Sequence, residues 1–236
     1  MIKVVLFDLD GTLLPMDDKR FTEDYFTRII EKISPQGYDP DQLVSGIWKG
    51  IKSMIKNNGE KLNEYVFWKE FSKVMGDKVL EHRPLFEDFH ANDFEFLSNS
   101  CGYSAKSKVV VDKVKSLGYR VVLATNPIFP RVATEKRIKW AGLSPQDFEL
   151  CTTYENTSYC KPNVKYYEYI LNEIGCKAEE CLMVGNNVTE DMIASILGMR
   201  VFLLTDCLIN EDEKDISNYP SGSYNELIEY IESLHE

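Results

Sequence analysis

Apolar and polar residues follow two rhythms along this chain. Val4–Phe7 is an unbroken apolar run of strand length, the pattern of a strand covered on both faces. From Thr22 the rhythm becomes helical. Phe26, Ile29, Ile30 and Ile33 predict a helix over Thr22–Ile33. Leu43, Ile47, Ile51 and Met54 predict one over Asp41–Lys56, and Val66, Phe67, Phe71 and Val74 one over Asn63–Met75. Asn57-Asn58-Gly59 separates the last two. Residues 17–92 thus read as helical throughout, with no strand signal.

Beyond that stretch the rhythms alternate. Helices are predicted at Ala105–Leu117, Val132–Trp140, Val164–Ile174, Asp191–Leu197 and Tyr224–Leu234. Between them lie apolar runs of strand type at Arg120–Ala124, Leu150–Thr153, Cys181–Val184 and Val201–Leu204. Gly118, Gly142, Gly175 and Gly198 close four of the helices as C-terminal caps. Such alternation implies a parallel sheet with helices on both faces. The expected fold is an α/β, Rossmann-like doubly wound core of residues 1–16 and 93–236. An all-helical domain of residues 17–92 is inserted into it.

Composition narrows the partners. The chain has 236 residues, 44% of them hydrophobic, and a net charge of −11. That length suits one large domain, or one domain with an insert, and a real core. No dense Lys/Arg run is present, so neither nucleic acid nor an anionic membrane is an expected partner. No apolar stretch is long enough to span a bilayer. The oligomeric state is not legible. None of the six cysteines forms a C-x-x-C pair. They read as reduced thiols of a cytoplasmic protein, mostly filling the core.

In parallel sheets ligands bind beyond the carboxyl ends of the strands, and here those positions carry reactive side chains. Asp8 and Asp10 follow the first strand, and their i, i+2 spacing points both carboxylates the same way. Thr125 and Asn126 follow the second strand. Lys161-Pro162 lies a few residues past the short one. Gly185, Asn186, Asn187, Glu190 and Asp191 follow the strand at 181–184. Each alone has an ordinary structural reading as a turn, a solvated lysine or a helix-start acid. Their joint placement at strand ends argues for chemistry.

In order and spacing the chain resembles the haloacid dehalogenase (HAD) superfamily. Asp8-Leu9-Asp10-Gly11-Thr12 matches its D-x-D-G-T motif, and Thr125 after an apolar strand the second motif. Lys161-Pro162 matches the third, and Gly185-Asn186 with Glu190 and Asp191 the fourth in part. The helical insert resembles the family's C1 cap. The resemblance implies a phosphatase in which Asp8 attacks phosphorus to form an aspartyl-phosphate and Asp10 is the acid and base. Thr12, Thr125, Asn126 and Lys161 would bind the phosphoryl group, with Thr125 and Lys161 also counted as catalytic. It implies Mg²⁺ on Asp8, Asp10, Asn186 and Asp191, and a small phosphorylated metabolite as substrate. Asn186 stands where the family usually has a metal-binding Asp, which leaves room for a non-catalytic binding or regulatory protein. A sugar-phosphate mutase shares the first motif. Trp48, Phe67 and Trp68 read first as core packing and second as a surface for the substrate. The loop Asn57–Asn63 is a candidate to face the site.

Overall fold

A computed structural model gives the fold and describes residues 1–234. Six strands form one parallel sheet in the order β3-β2-β1-β4-β5-β6. They are β1 (Val4–Phe7), β2 (Arg120–Leu123), β3 (Leu150–Cys151), β4 (Cys181–Gly185), β5 (Arg200–Leu204) and β6 (Ser221–Gly222). β1 is central, pairing with β2 and β4 in matched register, so Val4 lies between Arg120 and Cys181. This explains its unbroken apolar run: no position on it faces water.

The pleat sorts its side chains. Val5 and Phe7 pack with Val110, Val111 and Val114 of α6 (Ala105–Ser116) and with Leu227 and Ile231 of α9 (Tyr224–Ser233). Val4 and Leu6 pack on the opposite face with Tyr166, Tyr167 and Ile170 of α8 (Val164–Ile174). Helices thus cover both faces, as a doubly wound sheet requires. A further helix, α7 (Arg131–Trp140), follows β2.

Between β1 and α6 the described elements are helical: α1 (Asp18–Ile33), α2 (Pro40–Ile55), α3 (Asn63–Met75), α4 (Lys78–Glu81) and α5 (Arg83–Ala91), with 3₁₀ turns at Ser34–Gln36 and Asp93–Ser100. They share a core that includes Phe21, Ile29, Leu43, Phe71 and Phe89. Asp17 and Asp39 cap α1 and α2 by accepting the N–H groups of Arg20 and Gln42. α3 has no side-chain cap. Instead Asn63 and Glu64 donate their N–H groups to the carbonyls of Thr157 and Tyr154, at 2.8 Å each. The loop before α3 therefore docks on the segment leading to Lys161 and does not line the cavity described below.

Two expectations need correction. The strand expected at Leu150–Thr153 keeps only Leu150–Cys151, because the Thr152 hydroxyl turns to the Thr125 carbonyl at 2.7 Å. The helix expected at Asp191–Leu197 is a 3₁₀ stretch, Met192–Leu197. The turn in which Asp191 Oδ2 accepts the Asn187 N–H at 2.9 Å takes up the chain where a helix would begin, and the left-handed Gly198 ends the stretch. Helix α5, which begins with Pro84 near its start, and the two-residue β6 carried no periodic signal.

The carboxyl ends of the strands share one edge of the sheet. Tyr224 braces the loop after β1 from behind that edge. Its hydroxyl donates to the Thr12 carbonyl and lies 3.1 Å from Ser107 Oγ, which in turn donates to the Leu13 carbonyl at 2.5 Å. Tyr224→Phe leaves a buried carbonyl without its donor. It is expected to cost ~1–3 kcal/mol in chemical denaturation, and a loss near zero would show that the brace is dispensable.

Candidate active site

The ladder of the sheet continues one step past β1, where the Asp8 N–H donates to the Val184 carbonyl at 2.9 Å. Asp8 therefore keeps the strand's alternation and points to the same face as Val4 and Leu6, toward α8. Lys161 precedes α8, and its Nζ meets Asp8 Oδ1 at 2.8 Å and Asp191 Oδ1 at 2.6 Å. Lys161 and Asp191 are each 1% exposed. Burial opposes the ammonium's charge, but Asp191 and Asp8 outweigh it and hold the lysine charged well above its ordinary range. Burial raises Asp191 above the usual carboxylate range, Lys161 opposes that shift, and Asp8 adds to it.

The other Asp8 oxygen, Oδ2, lies 3.1 Å from the Thr12 hydroxyl, which also reaches Asn186 Oδ1 at 2.9 Å. Asn186 cannot be flipped, since its Nδ2 donates to the Cys207 carbonyl at 2.7 Å. The chain makes room for that amide at Gly11, where φ is +77° and a Cβ would sit 2.2 Å from Asn186 Nδ2. Both the conformation and the space require glycine there.

Asp10 meets a different partner. Arg137 of α7, fully buried, forms an ion pair with Asp10 Oδ2. Asp10 Oδ1 is buried without a hydrogen-bond partner. Burial pushes the Asp10 pKa up and Asp8 pushes the same way, while Arg137 opposes both. Sequence reasoning missed Arg137. Its signal is an arginine on the buried stripe of α7, alongside Ala133, Thr134 and Ile138.

Thr125, Asn126 and Glu190 complete the floor. The Thr125 carbonyl accepts from Thr152 and Tyr166. Asn126 Nδ2 lies 3.1 Å from both Glu190 oxygens, and burial raises the Glu190 pKa. A cavity of about 640 Å³ opens above and is lined by Asp8, Asp10, Thr125, Asn126, Asn186, Glu190 and Asp191 on the sheet side. Helices α1, α2, α3 and α5 line its other side. Trp48, Phe67 and Trp68 are in that lining, where Phe67 packs on Trp68 and Trp48 on Phe26. Thr12 and Lys161 are not, and stand behind Asp8. Asp18, at the start of α1, is pushed to about 6 by partial burial and then by the charges of Asp10, Asp8 and Glu190.

Among the described residues no three His, Cys, Asp or Glu side chains form a ready cation cage. An amide has to take part. Asp8 Oδ2 and Asn186 Oδ1 converge on one hydroxyl that carries a single proton, so one of the two acceptors is always short of a donor. With the nearby Asp191 carboxylate these are oxygen donors only, the set that suits Mg²⁺. The residues fit that ion.

The buried Lys161 makes a testable demand. Lys161→Met leaves Asp8 and Asp191 facing each other without their cation. In EDTA at pH 8 the variant is expected to lose ~3–5 kcal/mol in urea denaturation. The unpaired carboxylates then bind protons more tightly folded than unfolded, so the deficit shrinks as pH falls toward 5. A deficit independent of pH would mean that the ammonium does not hold the two acids apart.

The comparisons with known proteins agree with this geometry. The chain is 25% identical over 220 residues to glyceraldehyde 3-phosphate phosphatase of Methanothermobacter thermautotrophicus, covering 91% of this chain and 90% of that protein. It is 26% identical over 186 residues to pyrophosphatase PpaX of Bacillus cereus, covering 79% and 75%. Its fold is similar to that of a HAD phosphatase from Thermococcus onnurineus, with a TM-score of 0.58, 20% identity and 98% of each chain covered. It is also similar to the HAD-hydrolase YfnB of Bacillus subtilis, with a TM-score of 0.59, 19% identity and 98% and 99% covered. The family model for haloacid dehalogenase-like hydrolases matches residues 2–196, and this chain belongs to that family of hydrolases.

Proposed function

We propose that this hydrolase is a Mg²⁺-dependent phosphatase that cleaves a small phosphorylated metabolite through a phosphorylated Asp8. One observation carries the reading. Asp8 ends the central strand with one oxygen on a buried ammonium and the other on a hydroxyl, facing a cavity beside an Asp10 oxygen that has no partner. The relatives bearing phosphatase names support it, as does magnesium bound in the similar YfnB structure.

In this reading a carboxylate oxygen of Asp8 attacks phosphorus, and the bond from phosphorus to the leaving oxygen breaks. Lys161 and Thr12 hold Asp8 in line from behind. Protonated Asp10 gives its proton to the departing oxygen. As a carboxylate it then takes a proton from the water that attacks phosphorus, which frees Asp8 and inorganic phosphate. Burial and the neighbouring Asp8 favour the protonated form that this needs, and Arg137 restores the carboxylate. Thr125 and Asn126 supply donors to the phosphoryl oxygens. Mg²⁺, held by Asp8, Asn186, Asp191 and the Asp10 carbonyl, would supply positive charge between an anionic nucleophile and an anionic phosphate. The helices of residues 17–92 serve as a cap domain over the core of residues 1–16 and 93–236, excluding water from the site.

Asp8→Asn is expected to lower Mg²⁺-dependent phosphate release by at least about a thousandfold, and Asp10→Asn by about a hundredfold or more. Near wild-type release from Asp8→Asn would end this mechanism. Product analysis by NMR should find free phosphate, whereas a mutase would return an isomeric phosphate ester.

Asn186 yields a second expectation. Asn186→Asp adds a charge near the ion, worth ~1 kcal/mol even when screened, so calorimetry should read Mg²⁺ binding about fivefold tighter. The same change removes the donor to the Cys207 carbonyl, so the metal-free protein should melt at a lower temperature. Unchanged Mg²⁺ affinity would place Asn186 outside the ion's ligands.

A further inference from the structure

The cavity differs at its two ends. The sheet end is ionic. The helix end is walled by Tyr25, Phe26, Trp48, Phe67, Trp68 and Tyr154. Closely packed interiors leave no space of about 640 Å³, so these rings face a volume meant to be filled. A volume of this size is that of a site for a ligand well beyond a bare phosphate.

The polar groups at the helix end are already engaged. Arg83 pairs with Glu64 and with Glu87, the latter at 2.8 Å, and lies 5.2 Å from the Trp68 ring centre. The His90 ring bonds the Phe86 carbonyl through Nδ1 at 2.8 Å and faces the Tyr25 hydroxyl through Nε2 at 3.5 Å. Burial lowers its pKa to about 4, so the ring is neutral at physiological pH. The other arginine of the lining, Arg131, lies outside the helical layer, at the start of α7, and is exposed to solvent. Asp18, Glu64, Glu87, Glu135 and Glu155 also line the cavity. A second anionic group on the ligand would meet this acidic wall without a cation that is not already paired at the apolar end.

We propose that the substrate is a phosphate monoester of an aromatic or similarly bulky apolar alcohol, with no second anionic group. The proposal rests on the phosphatase reading above. It sets this chain apart from its named relatives. Pyrophosphate has no apolar part and bears a second phosphoryl group, and glyceraldehyde 3-phosphate has nothing that would cover six aromatic rings. The phosphoryl group takes the sheet end, and the organic part lies between the rings of α1, α2 and α3. Burying it supplies binding that a small polar ester cannot.

The test compares kcat/KM for 2-phenylethyl phosphate, ethyl phosphate and 4-(2-phosphooxyethyl)benzoate, all with Mg²⁺. The three are primary alkyl esters, so the bond that breaks is nearly the same in each. The phenylethyl ester is expected to exceed the ethyl ester by about tenfold or more, and the benzoate to fall back by about tenfold. Trp48→Ala should narrow the phenylethyl-to-ethyl ratio by about threefold or more. In the Asp8→Asn protein, tryptophan fluorescence should respond to the phenylethyl ester at concentrations where the ethyl ester is silent. A ratio near one, or a preference for the benzoate, overturns the substrate class and leaves the phosphatase reading standing. Hydrolysis of none of the three, together with no fluorescence response, overturns both.

Discussion

The ammonium of Lys161 is sealed from solvent between Asp8 and Asp191. Two carboxylates this close, under the end of a buried strand, would not both stay ionised without it. Their placement thus depends on one cation that the protein cannot do without. The balance is still incomplete. Asp8, Asp10, Asp18, Glu190 and Asp191 line the same cavity, against Lys161 and Arg137 behind it. Burial is the first cause of the raised pKa values of Asp10, Asp18 and Glu190, and the neighbouring carboxylates add to it. A phosphate dianion would find that surface hostile unless a cation came with it. The oxygen donors at Asp8 and Asn186 are where such a cation fits.

The two interior arginine and lysine side chains divide the labour between the two acids of the first motif. Lys161 contacts Asp8 and Arg137 contacts Asp10, from opposite sides of β1. The turn after β1 creates that division, because the chain leaves the strand beyond Asp8 and brings Asp10 to Arg137 of α7, while Asp8 keeps to the α8 face. Each acid meets its own electrostatic environment although the two are separated by one residue. Two carboxylates with different partners can hold different protonation states at one pH, which is what an acid working beside a nucleophile requires.

Much of this was legible in the residues. The unbroken run of Val4–Phe7 revealed a central strand, and the reactive residues fell at strand ends because parallel strands share an edge. Arg137 was not legible, since periodicity marks it only as a polar residue in an unremarkable helix. Its role depends on a contact across 127 positions of sequence. The Cys207 carbonyl that orients Asn186 was hidden for a similar reason, as a backbone atom leaves no trace in side-chain pattern. The 3₁₀ form of Met192–Leu197 was missed because apolar spacing cannot measure how much chain is left for a connection. Trp48, Phe67 and Trp68 sit at core spacing, but only Phe67 and Trp68 pack into the core while Trp48 stays partly open, and only the shape of the space between helices shows that all three face a cavity.

The junction between α3 and the core has a mechanical consequence. The first N–H groups of α3 are satisfied by the Thr157 and Tyr154 carbonyls, and the Asn63 side chain reaches Thr157 Oγ1 at 3.2 Å and the Tyr159 carbonyl at 3.3 Å. A helix end without such partners frays. Any swing of the helical layer away from the sheet would have to break this latch and unseat the end of α3 at once. The same few bonds end two residues before Lys161. Access to the cavity and the seating of Lys161 are in this way geared together, so that an open mouth and a loosened Asp8 would come as one event.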